Sequence, residues 1–144
     1  MRFLLDSSVI TPLMLDLGER LLDLSAGKEL YLIDLTFYEV GNSLWKLTLL
    51  LRSINLKDAM EILDVLKSLI LRKAITLIRF DDLDAPRIIK LTVDEELTFH
   101  DASYIVAGEK LNATLATEDE ELRRKAEKYI NVITYKNLKQ QILK

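Results

Sequence analysis

The feature that most constrains the fold is an alternation along the chain. Short, mostly apolar runs of strand type are separated by longer segments of helical pattern. The runs are Phe3–Leu5, Leu30–Leu35, Ile75–Phe80, Ala113–Ala116 and Asn131–Thr134. Most lack the polar–apolar alternation of a half-exposed strand, and a parallel sheet covered on both faces asks for that continuous apolarity. Helical patterns fill about 9–25, 37–53, 57–72, 84–96, 99–111, 119–129 and 136–143. Strands alternating with helices predict an α/β protein: a three-layer α/β/α domain with a mostly parallel, four- to five-stranded sheet.

Several of the helical segments open with suitable chemistry. Asp84-Ala-Pro86 sets a capping acid ahead of an early-turn proline. Thr36-x-x-Glu39, Thr98-x-x-Asp101 and Thr117-x-x-Glu120 fit the capping-box pattern, the second loosely. There is no repeat and no linker, and a length of 144 residues suits a single domain over 1–144. Hydrophobic residues are 49% of the chain, enough for a real core, and charged residues at 30% with few Gly and Pro argue against low complexity.

Composition excludes several classes. Cys is absent, which removes disulfides and thiolate metal sites and makes an intracellular setting the default. Only a three-residue apolar run precedes Asp6, too little for a signal-peptide core, and no stretch approaches the roughly 18 apolar residues of a membrane span. A cytoplasmic protein without a membrane segment is expected. The net charge of −3 does not favour nucleic-acid binding. A carboxylate site that collects cations is, however, acidic by construction, and the cations reverse its local sign. Basic residues gather late, at Arg123, Arg124, Lys125, Lys128, Lys136, Lys139 and Lys144. A solvated helix face and a phosphate contact are both open for them. Segment 43–51, Ser-Leu-Trp-Lys-Leu-Thr-Leu-Leu-Leu, is apolar on more than one helical face, which points to a dimer contact or a partner groove.

Ligands of an open parallel sheet bind beyond the carboxyl ends of its strands. Asp6 directly follows the first strand run, Glu39 opens the helix after the second, and Asp119 follows the fourth. Asp101 opens a helix running toward that fourth strand. These four carboxylates can converge at one sheet edge. Each also has a simpler reading. Asp6 could cap the first helix, Glu39 and Asp101 stand where a capping box wants an acid, and Asp119 lies in an acidic first turn that the helix dipole favours. Separate caps scatter acids over all helix starts, whereas a metal site gathers them on one edge.

Gathered carboxylates repel and raise one another's pKa, a cost that a divalent cation removes. Mg²⁺ and Mn²⁺ take oxygen ligands, Mg²⁺ often only one or two carboxylates with water and phosphate completing the shell. Without Cys or a His cluster, zinc is poorly supported. Two such ions about 4 Å apart can drive in-line displacement at phosphorus without a covalent nucleophile. Ser7 and Ser8 could serve a phosphate or simply cap a helix. Asn42, one turn after Glu39, could orient a water or bond another helix. Thr117 is expected to hold Asp119 in place, as an N-cap and as a supporting group behind it. His100, the sole histidine, reads as a packed or solvent-facing ring more than a general base. Tyr38, Tyr104 and Trp45 read as core or interface rather than base-stacking platforms.

The ordered set Leu-Asp-Ser-Ser, Thr-x-x-Glu-x-x-Asn, Thr-x-His-Asp-Ala-x-Tyr and Leu-x-Thr-x-Asp-x-x-Leu resembles PIN-domain proteins, most of all the VapC-type toxins of prokaryotic toxin–antitoxin pairs. The resemblance runs from Phe3 to about Tyr135. It implies a Mg²⁺- or Mn²⁺-dependent ribonuclease, usually a homodimer, inhibited by a VapB-type antitoxin that reaches into the acidic site. By position, Asp6, Glu39, Asp101 and Asp119 match the family's acids, Ser8 and Thr117 its supporting hydroxyls, and Asn42 a frequent polar position. Any of Glu118 to Glu121 could add a further acid. A receiver domain would want an acidic pair after the first strand, and a haloacid-dehalogenase-type phosphatase would want Asp-x-Asp; here two serines follow Asp6. The remaining alternative is a PIN-like interaction module without catalysis.

Overall fold

The computed structural model describes residues 1–144. Five strands form one sheet: β1 (Arg2–Leu5), β2 (Glu29–Ile33), β3 (Ile75–Ile78), β4 (Thr114–Ala116) and β5 (Val132–Ile133). Their order is β3-β2-β1-β4-β5 and every pairing is parallel. The expected α/β architecture is therefore present, with the sheet wholly parallel.

The central position of β1 shapes everything near it. From β1 the chain builds outward through β2 and β3 on one side, then returns to lay β4 and β5 on the other. Such a change of direction opens a crevice at the strand ends where ligands bind in open α/β sheets. Here it lies between the carboxyl ends of β1 and β4.

Both sheet faces are covered because successive strand residues point opposite ways. Phe3 and Leu5 enter a core of 19 buried residues with α1 (Ser7–Leu17), α3 (Asp34–Trp45), α4 (Leu56–Leu71) and α8 (Tyr135–Leu143). Leu4 enters a second core of 15 residues with α5 (Ala85–Glu95), α6 (Phe99–Leu111) and α7 (Glu120–Ala126). The strand runs read as uniformly apolar for this reason: neither side of β1 meets water.

Several boundaries differ from the sequence reading. The first helical segment breaks at Gly18, whose φ of 51° ends α1; a 3-10 turn and the short α2 (Leu21–Leu24) follow. The second strand stops at Ile33, and α3 begins at Asp34, not residue 37. Asp34 secures that start by accepting from Leu35 N at 2.9 Å and Phe80 N at 3.0 Å. Thr36 is consequently inside the first turn of α3 and not its N-cap, which is Ile33. After Trp45 the helix widens into a π-helical turn, Lys46–Leu50. Strand β3 ends at Ile78, and Phe80 lies in a 3-10 turn. No helix is long and apolar enough to cross a membrane.

The segment 43–51, apolar on more than one helical face, is buried on one side only. Leu44 is buried, whereas Trp45, Leu49, Leu50 and Leu51 face solvent. Leu4 and Leu49 thus form a matched pair for stability. Leu4→Ala, in the central strand with no exposed surface, is expected to cost about 2–5 kcal/mol in urea unfolding. Leu49→Ala should stay within about 0.5 kcal/mol.

Candidate functional site

Asp6 is the residue between β1 and α1, one position beyond buried Leu5. Its backbone N–H continues the β1–β4 ladder by donating to Ala116 O at 3.2 Å. It occupies the N-cap position of α1, yet its side chain makes no capping bond. Instead, Ser8 Oγ donates to Asp6 Oδ1 at 2.5 Å, and Thr117 Oγ1 donates to Asp6 Oδ2 in a short bond. Both hydroxyls therefore hold a carboxylate that is only 6% exposed.

Thr117 holds Asp119 in place as expected, but it is not the helix N-cap. Asp119 is the N-cap of α7, with Oδ1 accepting from Leu122 N at 3.0 Å. Thr117 Oγ1 in turn accepts from Asp119 N at 3.1 Å. One buried hydroxyl thus links Asp6 to the loop carrying Asp119. Ser8 makes a parallel link, since Glu118 N donates to its Oγ at 2.9 Å. Ties of β1 and α1 to the β4–α7 loop close the crevice floor.

Glu39 lies in the second turn of α3 and is half-buried. Its Oε1 accepts from the Tyr104 hydroxyl at 2.5 Å, and that hydroxyl is 2.6 Å from Thr36 Oγ1. Asp101 stands in the first turn of α6, where Thr98 Oγ1 accepts from its backbone N–H at 3.1 Å, so the Thr98 cap holds as expected. Asn42 is exposed and its side chain makes no hydrogen bond. His100 is exposed as well, outside any hydrogen bond or ion pair.

Electrostatics connect these acids. Burial pushes the Asp6 carboxyl up to about 6; the two hydroxyls oppose that rise, and the Glu39 charge adds to it. Asp101 is raised first by burial and then by the charges of Asp119, Glu39 and Glu121. The four acids therefore lie within electrostatic reach of one another in a chain, Asp6 to Glu39 to Asp101 to Asp119. They are not dispersed over separate corners. No three His, Cys, Asp or Glu side chains stand close enough to enclose an ion by themselves. An all-oxygen donor set that repels itself suits a hard cation holding one or two carboxylates, with water and phosphate as the other ligands.

Sequence reasoning missed the part played by Tyr104, which read as core or interface. The ring is core, 2% exposed, but its hydroxyl reaches Glu39. A signal existed: Tyr104 is three residues after Asp101 and so shares its helix face.

Comparison with known proteins accords with this architecture. A PIN-domain family model matches residues 3–128. The chain is 32% identical over 113 residues to exonuclease VapC9 of Pyrobaculum aerophilum, covering 74% of each protein. The crystal structure of PAE2754 from Pyrobaculum aerophilum superposes with a TM-score of 0.74 at 23% identity, covering 99% of this chain and 95% of that one. A chain of the VapBC-1 structure from nontypeable Haemophilus influenzae gives a TM-score of 0.62 at 12% identity, covering 94% and 99%. At such identities the two structures speak for a shared fold alone.

The raised Asp6 carboxyl has a measurable consequence. The folded state binds this proton more tightly than the unfolded chain, so the metal-free protein loses stability as pH rises from about 4 through about 6. The loss amounts to about 3 kcal/mol. Urea unfolding of wild type and Asp6→Asn at pH 4 and pH 7.5, with chelator, isolates it from other carboxylates. The variant is expected to gain relative to wild type at the higher pH; an equal difference at both pH values counts against a desolvated Asp6.

Proposed function

Because this chain belongs to the PIN-domain family, we propose that it is a divalent-metal-dependent endoribonuclease of the VapC toxin type, acting through Asp6, Glu39, Asp101 and Asp119. The observation that carries the reading is Asp6. An acid 6% exposed, at the point where the sheet changes direction, with each oxygen held by a hydroxyl from a different element, is costly to maintain for folding alone. The similarity to exonuclease VapC9 supports nuclease chemistry, and the PIN match spans all four acids.

In this reading the carboxylates of Asp6, Glu39, Asp101 and Asp119 provide the oxygen ligands for Mg²⁺ or Mn²⁺. A pair of these ions, when bound, supplies charge neutralisation and an activated water for displacement at phosphorus. The residues of this chain do the positioning. Ser8 and Thr117 fix the rotation of Asp6, and Thr117 also sets the backbone that presents Asp119. Asn42 offers an amide one turn beyond Glu39, on the same helix face. Relief of mutual repulsion among the acids adds to the binding of the cation.

A VapC-type assignment brings a VapB-type antitoxin and a homodimer as proposed partners. The exposed apolar stretch Trp45, Leu49, Leu50 and Leu51 supports an interface at the end of α3. A lone polar substitution there, Leu50→Glu, is expected to shift sedimentation toward the 16.6 kDa monomer; a monomeric wild type removes the homodimer from the proposal.

The activity test is direct. Purified protein with labelled RNA should cleave it in Mn²⁺ and stop in chelator. Asp6→Asn and Asp101→Asn should each abolish cleavage while keeping the fold by circular dichroism. Background cleavage indistinguishable among wild type and both variants would sink the enzyme and favour the interaction module.

A further inference from the structure

We propose that Tyr104 is a positioning residue for Glu39: with Thr36 it forms a hydroxyl relay that fixes one carboxylate oxygen and leaves the other without a protein hydrogen bond. The inference rests on Glu39 being a metal ligand.

The relay has a defined direction. Tyr104 has one O–H, and it is committed to Glu39 Oε1 at 2.5 Å. Thr36, 2.6 Å away, must then donate to the tyrosine oxygen. Protons point from Thr36 to Tyr104 to Glu39, so each bond polarises the next. The terminal bond is to a carboxylate and belongs to the strong, charge-assisted class.

Location argues for more than satisfying a buried hydroxyl. Thr36 and Glu39 are three residues apart, on one face of α3, and Thr36 has no exposed surface. Tyr104 comes from α6, whose residues fill the core on the opposite sheet face from Val40 and Leu44 of α3. The hydroxyl therefore crosses from one helix layer to the other. A buried tyrosine needs one polar partner, and Thr36 alone meets that need. The second partner, Glu39, is the acid whose charge acts on both Asp6 and Asp101. Fixing Glu39 removes its rotamer freedom before a cation arrives, the usual role of groups bonded to metal-binding carboxylates. Asp6 is held in the same manner by Ser8 and Thr117.

Tyr104→Phe deletes the hydroxyl and keeps the packed ring. Mn²⁺ titration by calorimetry on wild type, Y104F, E39Q and the double variant is the test, with circular dichroism melts reporting the fold. Y104F is expected to weaken Mn²⁺ binding roughly 10- to 100-fold. E39Q should weaken it at least as much, and Y104F should add nothing in the E39Q background. A folded Y104F with wild-type affinity beside a weakened E39Q overturns the positioning role alone. An E39Q of wild-type affinity overturns the reading of Glu39 as a ligand. Independent losses that multiply in the double variant also overturn the relay. If Y104F does not fold, T36V carries the test: a smaller loss of Mn²⁺ affinity is expected, and none refutes the proposal.

Discussion

Desolvation of a carboxylate at the end of the central strand is the constraint around which this edge of the molecule is organised. Asp6 is one residue past Leu5, in a position that parallel pairing with β4 fixes through its own backbone N–H. The ladder fixes its backbone, and the bonds from Ser8 and Thr117 hold its carboxylate in place. Burial makes its charge expensive, and the nearby Glu39 makes it more so. The opposing contribution comes from two hydroxyls on separate elements, Ser8 of α1 and Thr117 after β4. The same hydroxyls accept from Glu118 N and Asp119 N, so the geometry of the loop before α7 follows from the need to hold Asp6.

The rest of the fold can carry that cost. An isolated penalty of about 3 kcal/mol equals one or two well-buried aliphatic side chains. The sheet has a packed core on each face, 19 residues on one and 15 on the other. Peripheral ion pairs contribute much less. Arg87–Glu109 ties α5 to α6, Lys128–Glu95 ties the end of α7 to α5, and Lys139–Asp16 ties α8 to α1. Each is at least partly exposed and is worth at most about 1 kcal/mol. Apolar burial on both faces, and not surface charge pairing, therefore offsets the cost of the desolvated acidic edge.

The alternation of apolar runs and helical patterns made the fold class legible, because a strand covered on both faces cannot hide its apolarity. Helix entries were legible where a side chain does the capping, as at Asp84 and Thr98. Thr36 and Thr117 misled for one reason: in both the hydroxyl serves a distant residue, Tyr104 or Asp6, and no local pattern records a partner 68 or 111 positions away. Asp6, Glu39 and Asp119 were legible as candidates because each comes at or soon after a strand end, whereas the reach of Asp101 to Glu39 and Asp119 depends on where α6 starts, which strand order does not give. Tyr104 stayed hidden because its ring satisfies every expectation of a core residue, while its function depends on a single oxygen.

The proposed function asks an acidic chain, of net charge −3, to bind a polyanion. The late basic residues that could have tracked a phosphate backbone are mostly engaged elsewhere. Lys125 pairs with Glu121, Lys128 with Glu95, Lys139 with Asp16, and Arg123 with the Thr117 carbonyl and Glu118. Arg124, Lys136 and Lys144 are exposed without an ion pair. A protein that grips RNA through many lysines and arginines binds it with steep salt dependence and without needing a site. On the proposed function, the acidic edge repels phosphate until a divalent cation reverses its sign. On the proposed function, substrate binding and metal binding then become one event.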